Sequence, residues 1–575
     1  MNKSAVIGVS YGHHESSVCL ITNNLDILYL REEWLSRVKG DYRFPIESLK
    51  YLKNIYNDYE ILNVSLFEKP LRNWLSIGTK KKLSPLNYLL KIRQFKESDL
   101  NFPKKIKKFF KKKIDIYCPH HLSHALTGSA FSFSKNNNNF IHIVMDGYGD
   151  GLSGGIFYGN NFNITEIETF KPEQSLGLLY SGITEWVGYK PNEDEYKVMA
   201  LAAFGNPRFK DFIKKNILYI KNEKIFINQK YFNFSDLGKD SIKKSFIDKF
   251  GKKRTNVKNL FMDSAACDVV ASFQIAIEET VFDYMNFIID KYKSLSKNIS
   301  KILLSGGLFH NSKLVGYLEK NIYQKNKIIV EVSPSPGDAG SSIGSAIFAA
   351  LKNNFNIDKY FKKLDPFLGP FAPRIDSYNL LFNKITSNST ETIKRLEKLL
   401  KEDNIIAVYD ARFEVGPRAL GSRSLICDGK SASALKKLNE IFKKRESYRP
   451  IAPIISEDIA KKIFSNSDLQ SDTAMYMGKV MEISSNMSFS VLSKKFPFIH
   501  HDKTARAQII KKNNKYTLSP IITKLIEKGF ILGNTSFNVA GDPMVFDIED
   551  VYSNLIRLEI KYLINDEKLY EVIDV

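Results

Sequence analysis

Short apolar runs separated by glycine-rich turns open the chain and predict strands: Ala5 to Ser10, Ser17 to Thr22 and Ile27 to Leu30, with a turn at Gly12 to Ser16. The pattern returns further along. There Ile141-His142-Ile143-Val144-Met145 runs into Asp146-Gly147-Tyr148-Gly149-Asp150-Gly151, and Gly155-Ile156-Phe157-Tyr158 follows. Strand pairs joined by turns that expose backbone N–H groups to phosphate, seen twice, suggest a duplicated nucleotide-binding architecture. Asp268 to Asp290 predicts a long, largely buried helix. A strand then meets Gly306-Gly307. A second, Ile328 to Val332, leads through Ser333-Pro334-Ser335-Pro336-Gly337-Asp338-Ala339-Gly340 into a small-residue helix, Ser341 to Leu351. A glycine-rich turn that opens a helix offers unpaired N–H groups to an anion.

Residues 205–262, rich in Lys, Asn and Phe with little periodicity, predict an insertion or mobile subdomain. Pro366, Gly369, Pro370 and Pro373 mark an interdomain crossing. A fresh α/β pattern begins at Ile405 and ends in a strand at Phe530-Ile531-Leu532 with a polar turn at Gly533 to Asn538. The expected division is a first domain over 1–360, a linker over 361–395 and a second domain over 396–575.

Composition changes this picture little. A chain of 575 residues is too long for one core, and 43% hydrophobic with 26% charged residues is ordinary for a globular protein. No apolar run reaches bilayer-spanning length, and the opening residues lack a signal-peptide core, so a cytoplasmic protein without stable membrane insertion is expected. Cys19, Cys118, Cys267 and Cys427 lie far apart, which argues against disulfides and thiolate zinc. The net charge of +21 could suit nucleic acid, but much of it lies in short runs such as Lys80-Lys81-Lys82 and Lys104 to Lys113. The latter reads as a solvated basic helix in preference to a membrane-surface segment.

Candidate chemistry falls at strand and turn ends. His120 and His124 stand four apart, so on a helix they share a face and can bind one metal, or they cap the helix start. Asp146 and Asp338 beside Gly-rich turns could complete a mixed N/O shell. In the C-terminal half, Arg412, Arg418 and Arg423 crowd Gly416-Pro417 and Gly421. Lys443, Arg445 and Arg449 precede Pro450, Arg506 follows Asp502-Lys503-Thr504-Ala505, and Asn534, Thr535, Ser536 and Asn538 form a polar row. Arginine forks take phosphate bidentately and lysine offers a point charge.

These segments together resemble the O-carbamoyltransferases that decorate nodulation factors, aminoglycosides and cephamycin-type antibiotics. The resemblance runs nearly end to end through GVSYGHHESS, EEWLSRVKGDYRFP, HHLSHA, MDGYGDG, SLGLLYSGITEWVGY, DEYKVMALAAFG, GGLFHN, SPSPGDAG, FEVGPRALGSRS, KRESYRPIAP, DKTARAQ and NTSFNVAGDP. Two positions depart from the family: Glu15 follows His14 where Asp is usual, and Gly541-Asp542-Pro543 replaces GEP. The resemblance implies an α/β protein with a duplicated actin/sugar-kinase-like N-terminal domain fused to a YrdC-like C-terminal domain. It implies ATP (with Mg2+) and carbamoyl phosphate as co-substrates, and a divalent metal, Fe2+ before Zn2+ or Mn2+, on His120, His124, Asp146 and Asp338. Carbamoyl phosphate and ATP would meet Arg418, Arg423, Lys443, Arg445, Arg449, Arg506, Asn534, Ser536 and Asn538. Carbamoyl-adenylate would meet Gly12, Lys39, Gly147, Gly149, Gly306, Gly307 and Asn311, with His14 the general base for a small-molecule or glycan hydroxyl. No nucleic-acid partner is expected, and a homodimer is one open oligomeric state. A tRNA threonylcarbamoyl transferase and a non-catalytic nucleotide-binding or ATPase module are the rival readings.

Overall fold

The computed structural model describes residues 3–12, 14–68, 102–110, 115–134, 139–234, 241–257, 259–295, 299–484, 488–512, 516 and 518–573. His13, Lys80-Lys81-Lys82 and the 111–113 end of the basic segment fall outside these residues. The chain divides into two units, one of Met1–Glu32 with Asp41–Leu364 and one of Glu33–Gly40 with Asp365–Val575.

The first unit holds two five-stranded sheets. One contains β1 (Ser4–Ser10), β2 (Ser17–Thr22), β3 (Ile27–Arg31), β4 (Glu60–Leu66) and β5 (Asp115–Tyr117) in the order β3-β2-β1-β4-β5. β2 and β3 continue antiparallel from β1, whereas β4 and β5 run parallel to it on its other side. The second sheet contains β6 (Phe140–Gly149), β7 (Leu152–Asn160) and β8 (Asn163–Phe170). A small hairpin, β9 (Leu218–Lys221) with β10 (Lys224–Ile227), precedes its last strands, β11 (Lys301–Ser305) and β12 (Ile329–Val332). Its order, β12-β11-β6-β7-β8, repeats the first sheet strand for strand and sense for sense. That repetition is the duplication expected from the sequence.

Four helices matter for the site: α1 (His120–Ser132), α2 (Ser264–Ser294), α3 (Ser312–Asn326) and α4 (Asp338–Lys352). The small residues of α4 let it approach its neighbours backbone to backbone. A Cβ on Gly344 would stand 1.9 Å from the Ser123 carbonyl oxygen of α1, so only glycine fits there. This contact fixes the start of α4, which carries Asp338, against the first turns of α1, which carry both histidines. The 205–262 segment, expected as an aperiodic insertion, has helices Lys210–Asn216 and Lys244–Phe250 besides the β9–β10 hairpin. Phe232, Phe246, Phe250 and Phe273 of α2 pack ring against ring, and this cluster stands in for a periodic apolar face.

The second unit is an α/β layer built on a mixed sheet: β13 (Phe382–Lys384), β14 (Ile406–Tyr409), β15 (Arg423–Asp428), β16 (Ala452–Ser456), β19 (Gln508–Ile510), β20 (Leu532–Ser536), β21 (Tyr562–Asn565) and β22 (Lys568–Val572). Their order is β13-β22-β21-β14-β15-β20-β16-β19, and β17 (Met481–Glu482) pairs separately with β18 (Thr504–Ala505). The boundary between units falls at Leu364/Asp365, and residues of the expected linker join the second unit: Gly369 donates to Phe413 and receives Arg412 on its carbonyl. Asn534 to Ser536, expected in a turn, are strand, because their backbones complete the ladder to β15. Among the described residues no helix is long and apolar enough to cross a membrane. None of the four cysteines forms a disulfide among the described residues, and all are buried.

Candidate active site

In the first unit α1 begins directly after Pro119, with no side-chain cap, so the histidines are not spent on capping. Its first N–H, that of His120, donates to the Asp150 carboxylate at 2.9 Å. One turn apart on α1, His120 Nε2 and His124 Nε2 lie 3.2 Å from each other. Asp146 Oδ2 lies 3.0 Å from the first and 3.3 Å from the second, and Asp338 Oδ1 lies 3.6 and 3.3 Å away. All four ligand atoms fall within 4.8 Å of one another.

The surroundings aim these atoms inward. Asp146 sits where the β6–β7 register is broken, a place where a strand can re-aim a side chain. Its Oδ1 accepts from the N–H groups of Gly147 (2.8 Å) and Gly307 (2.9 Å), which leaves Oδ2 for the histidines. Gly149 leaves room for the His120 ring, since a Cβ there would stand 2.3 Å from Cδ2. His124 Nδ1 donates to the Pro336 carbonyl at 3.0 Å, so its Nε2 carries the lone pair. Asp338 Oδ1 is buried and, among the described residues, makes no hydrogen bond, lying only in the ion-pair contacts with the two histidines. Burial opposes the charged form of Asp146, but His120 and His124 outweigh it and hold the carboxyl well below the usual range. Burial likewise opposes protonation of both histidines, and contact with Asp146 reverses this, raising both. Two facing imidazole nitrogens and two carboxylates in a buried space suit a cation of the Fe, Zn or Mn type, so the donor set fits a metal.

The other expected residues of this unit are more dispersed in role. His14 is exposed in the bend between β1 and β2, and Glu15 beside it pairs with the buried Arg31. Gly12 is exposed at a φ of 103°, and Gly306 at 98° backs onto Met145. Gly147 has open space where a Cβ would be. Asn311 departs from the expectation of a nucleotide ligand: its oxygen caps α3 by accepting from Leu314, and its amide donates to Gln274. Lys39 departs as well, since Glu33–Gly40 belongs to the second unit.

In the second unit, the Lys443 ammonium is 5% exposed and lies among four oxygens: Asn538 Oδ1 (2.7 Å) and O (2.8 Å), Ser536 O (3.1 Å) and Oγ (3.2 Å). Arg445 donates to Thr535 Oγ1 at 2.8 Å. Burial, and then Arg445, Lys39 and Arg449, push the Lys443 pKa well below its ordinary value. Burial and the like charges of Arg418, Arg445 and Arg449 do the same to Arg506, and burial lowers Arg418 to about 10. Burial first, and then the neighbouring like charges, disfavours the charged forms of Lys443 and Arg506. Asn534 is buried against Ala419 and Gln508. Arg423 is a correction. Fully buried, it pairs with Glu414 at 3.0 Å and lies 4.1 Å over the Trp34 ring and 4.3 Å over Phe413, so its fork is committed to the core. Arg412 is likewise held by the Gly369 and Leu368 carbonyls.

Family descriptions match both halves of the chain: "Carbamoyltransferase N-terminus" over residues 51–347 and "Carbamoyltransferase C-terminus" over 397–571. The chain belongs to the carbamoyltransferase family. This carbamoyltransferase is 27% identical to an uncharacterized protein of Synechocystis sp., over 97% of its own length and 95% of the relative's. It is 26% identical to nodulation protein NolNO of Sinorhizobium fredii over 96% of its length and 78% of that protein's. Over 42% of its length and 43% of the relative's, it is 28% identical to 3'-hydroxymethylcephem-O-carbamoyltransferase of Streptomyces clavuligerus. Among solved structures, full-length HypF in its phosphate- and nucleotide-bound form matches at 14% identity and a TM-score of 0.33, over 61% of this chain and 56% of that one.

Proposed function

We propose that this carbamoyltransferase activates carbamoyl phosphate with ATP in its second unit and transfers the carbamoyl group to an acceptor hydroxyl in its first. The observation that carries the reading is the crowd of like charges around Lys443 and Arg506, which a polyanionic substrate would neutralise. In the first step, water cleaves carbamoyl phosphate to carbamate and phosphate. The carbamate oxygen then attacks the α-phosphorus of ATP, and pyrophosphate leaves. Lys443, Arg445, Arg449, Arg418 and Arg506 offset the charge that builds on the phosphates, with Lys39 added from the Glu33–Gly40 segment. Ser536 and Asn538 hold the Lys443 ammonium in place by their oxygens, which positions that charge for the reaction.

In the second step the acceptor oxygen attacks the carbamoyl carbon of carbamoyl-adenylate and AMP leaves. His14 takes the hydroxyl proton, a role its exposure permits and an imidazole suits. The Gly-rich turns at 147–149 and 306–307 would border the adenylate, while the N–H groups of Gly147 and Gly307 go to Asp146 and that of Gly306 to the Pro336 carbonyl. His120, His124, Asp146 and Asp338 would hold a divalent ion, most simply Fe2+, which supplies Lewis acidity toward phosphate or carbonyl oxygen. Mg2+ accompanies ATP. The acceptor class is a sugar, glycan or small natural product, in line with the nodulation and cephem names among the relatives.

The test is pyrophosphate and phosphate release from ATP and carbamoyl phosphate, each omitted in turn, followed by a screen of hydroxyl acceptors for carbamoyl esters. Pyrophosphate release that does not depend on carbamoyl phosphate would refute the reading. Turnover driven by threonine and tRNA in place of sugars would favour the threonylcarbamoyl rival.

A further inference from the structure

The two histidines of the first-unit cluster are oriented by different groups. Behind His124 stands the Pro336 carbonyl, which can only accept, so the imidazole proton is fixed on Nδ1. Among the described residues His120 Nδ1 makes no hydrogen bond. The group that faces it is a carboxylate: Glu68 Oε2 lies 3.7 Å from His120 Nδ1, with the two side chains 3% and 0% exposed. Phe67, next to it in the chain, packs its ring 5.1 Å from the His120 ring. Phe67-Glu68, immediately after β4, therefore forms the wall behind this imidazole, on the edge opposite the Nε2 that meets Asp146 and Asp338.

A carboxylate this deeply buried is costly unless a partner shares its charge or its hydrogen bonds. We propose that Glu68 is a positioning residue that accepts the Nδ1 proton of His120, turns its Nε2 lone pair into the cluster, and makes His120 the stronger of the two nitrogen donors. The inference rests on the reading of His120, His124, Asp146 and Asp338 as metal ligands. A hydrogen bond needs roughly 3.2 Å or less, so about half an ångström of closure completes the contact. Carboxylate and carbonyl partners both fix a tautomer, but only the carboxylate adds a full negative charge that strengthens the donor nitrogen. The cluster then has one imidazole backed by a charge and one backed by a dipole.

The experiment uses full-length protein stripped with a chelator, into which Zn2+ is titrated in competition with a chromophoric chelator. Glu68→Gln keeps the volume and removes the charge, and it should weaken zinc binding about 10–100-fold, the range for lost outer partners of ligating histidines. Asp338→Asn is run in parallel and should weaken binding further. Parental affinity in Glu68→Gln with loss in Asp338→Asn overturns the role of Glu68 and leaves the ligand set standing. Parental affinity in Asp338→Asn overturns both. Should Glu68→Gln fail to fold, histidine-selective 15N spectra of the zinc-loaded parental protein decide the matter, with the His120 signals assigned by their loss in His120→Gln. A proton on Nδ1 and metal on Nε2 is the expected result. The reverse tautomer overturns the proposal.

Discussion

Replacing Arg423 by Met should destabilise the second unit and not act on catalysis directly. Both members of the Arg423–Glu414 pair are fully buried, at 3.0 Å. The guanidinium also lies 4.1 Å over Trp34 and 4.3 Å over Phe413. Removing one partner of a buried pair leaves an uncompensated charge and costs about 3–5 kcal/mol. Loss of the cation–π contacts adds about 1–2 kcal/mol for a desolvated site. Glu414 would keep only its hydrogen bonds from the Leu420 and Arg423 N–H groups. For a domain of this size each kcal/mol lowers Tm by roughly 2–4 °C, so calorimetry should show the second unit's transition falling on the order of 10–20 °C. Glu414→Gln/Arg423→Met leaves no buried charge and should recover at least half of that loss. Assayed well below the lowered transition, Arg423→Met should still form pyrophosphate. A variant that melts within about 2 °C of the parent yet forms no pyrophosphate would refute this reasoning and return Arg423 to the substrate.

Three further outcomes follow from the two clusters. Elemental analysis should find a divalent ion in the parental protein and almost none in His124→Ala, and equal content in both would sink the metal reading. Lys443→Ala and Arg506→Ala should each abolish pyrophosphate formation from ATP and carbamoyl phosphate while still transferring from supplied carbamoyl-adenylate. Equal failure at both steps would refute the division of labour. His14→Asn should keep pyrophosphate formation and lose transfer by ~10²–10⁴-fold, the usual cost of a missing acid–base group. Transfer at the parental rate would show that another group takes the proton.

The strand and turn pattern carried much of the first unit because alternation and glycine placement are local. Ser17 to Thr22 is β2 residue for residue, and His120, His124, Asp146 and Asp338 come within 4.8 Å of one another although they come from α1, β6 and α4. What made them legible was chemistry at element ends: histidines four apart on a helix and carboxylates beside glycine turns. The polar row Asn534 to Ser536 was harder. A strand is recognised by alternation between an apolar and a polar side, and these residues are polar in succession, so they imitate a turn while their backbones pair with β15.

Arg423, Lys39 and Glu68 were illegible for a common reason: each has its role set by a partner distant in the chain. Arginines beside Gly-Pro turns look alike in sequence, yet Arg423 meets Glu414, Trp34 and Phe413 in the core while Arg418 and Arg506 face each other's charge. Sequence neighbours would place Lys39 with the first domain. Trp34, however, buries its indole against Phe413 and Phe546, and Arg37 pairs with Asp550 at 2.9 Å. Those contacts commit the whole Glu33–Gly40 stretch to the second unit and bring a lysine to the Lys443 cluster. Glu68 carries no motif, being an acidic residue past the end of a strand, and only the His120 ring behind which it lies gives it meaning. Charge thus sorts by surroundings in this protein. A buried cation that meets a carboxylate, as Arg423 does, is consumed by the fold. Arg506, whose charge is opposed by burial and by the like charges of Arg418, Arg445 and Arg449, is of a second kind, and under the proposed function a search for the anionic substrate should start there.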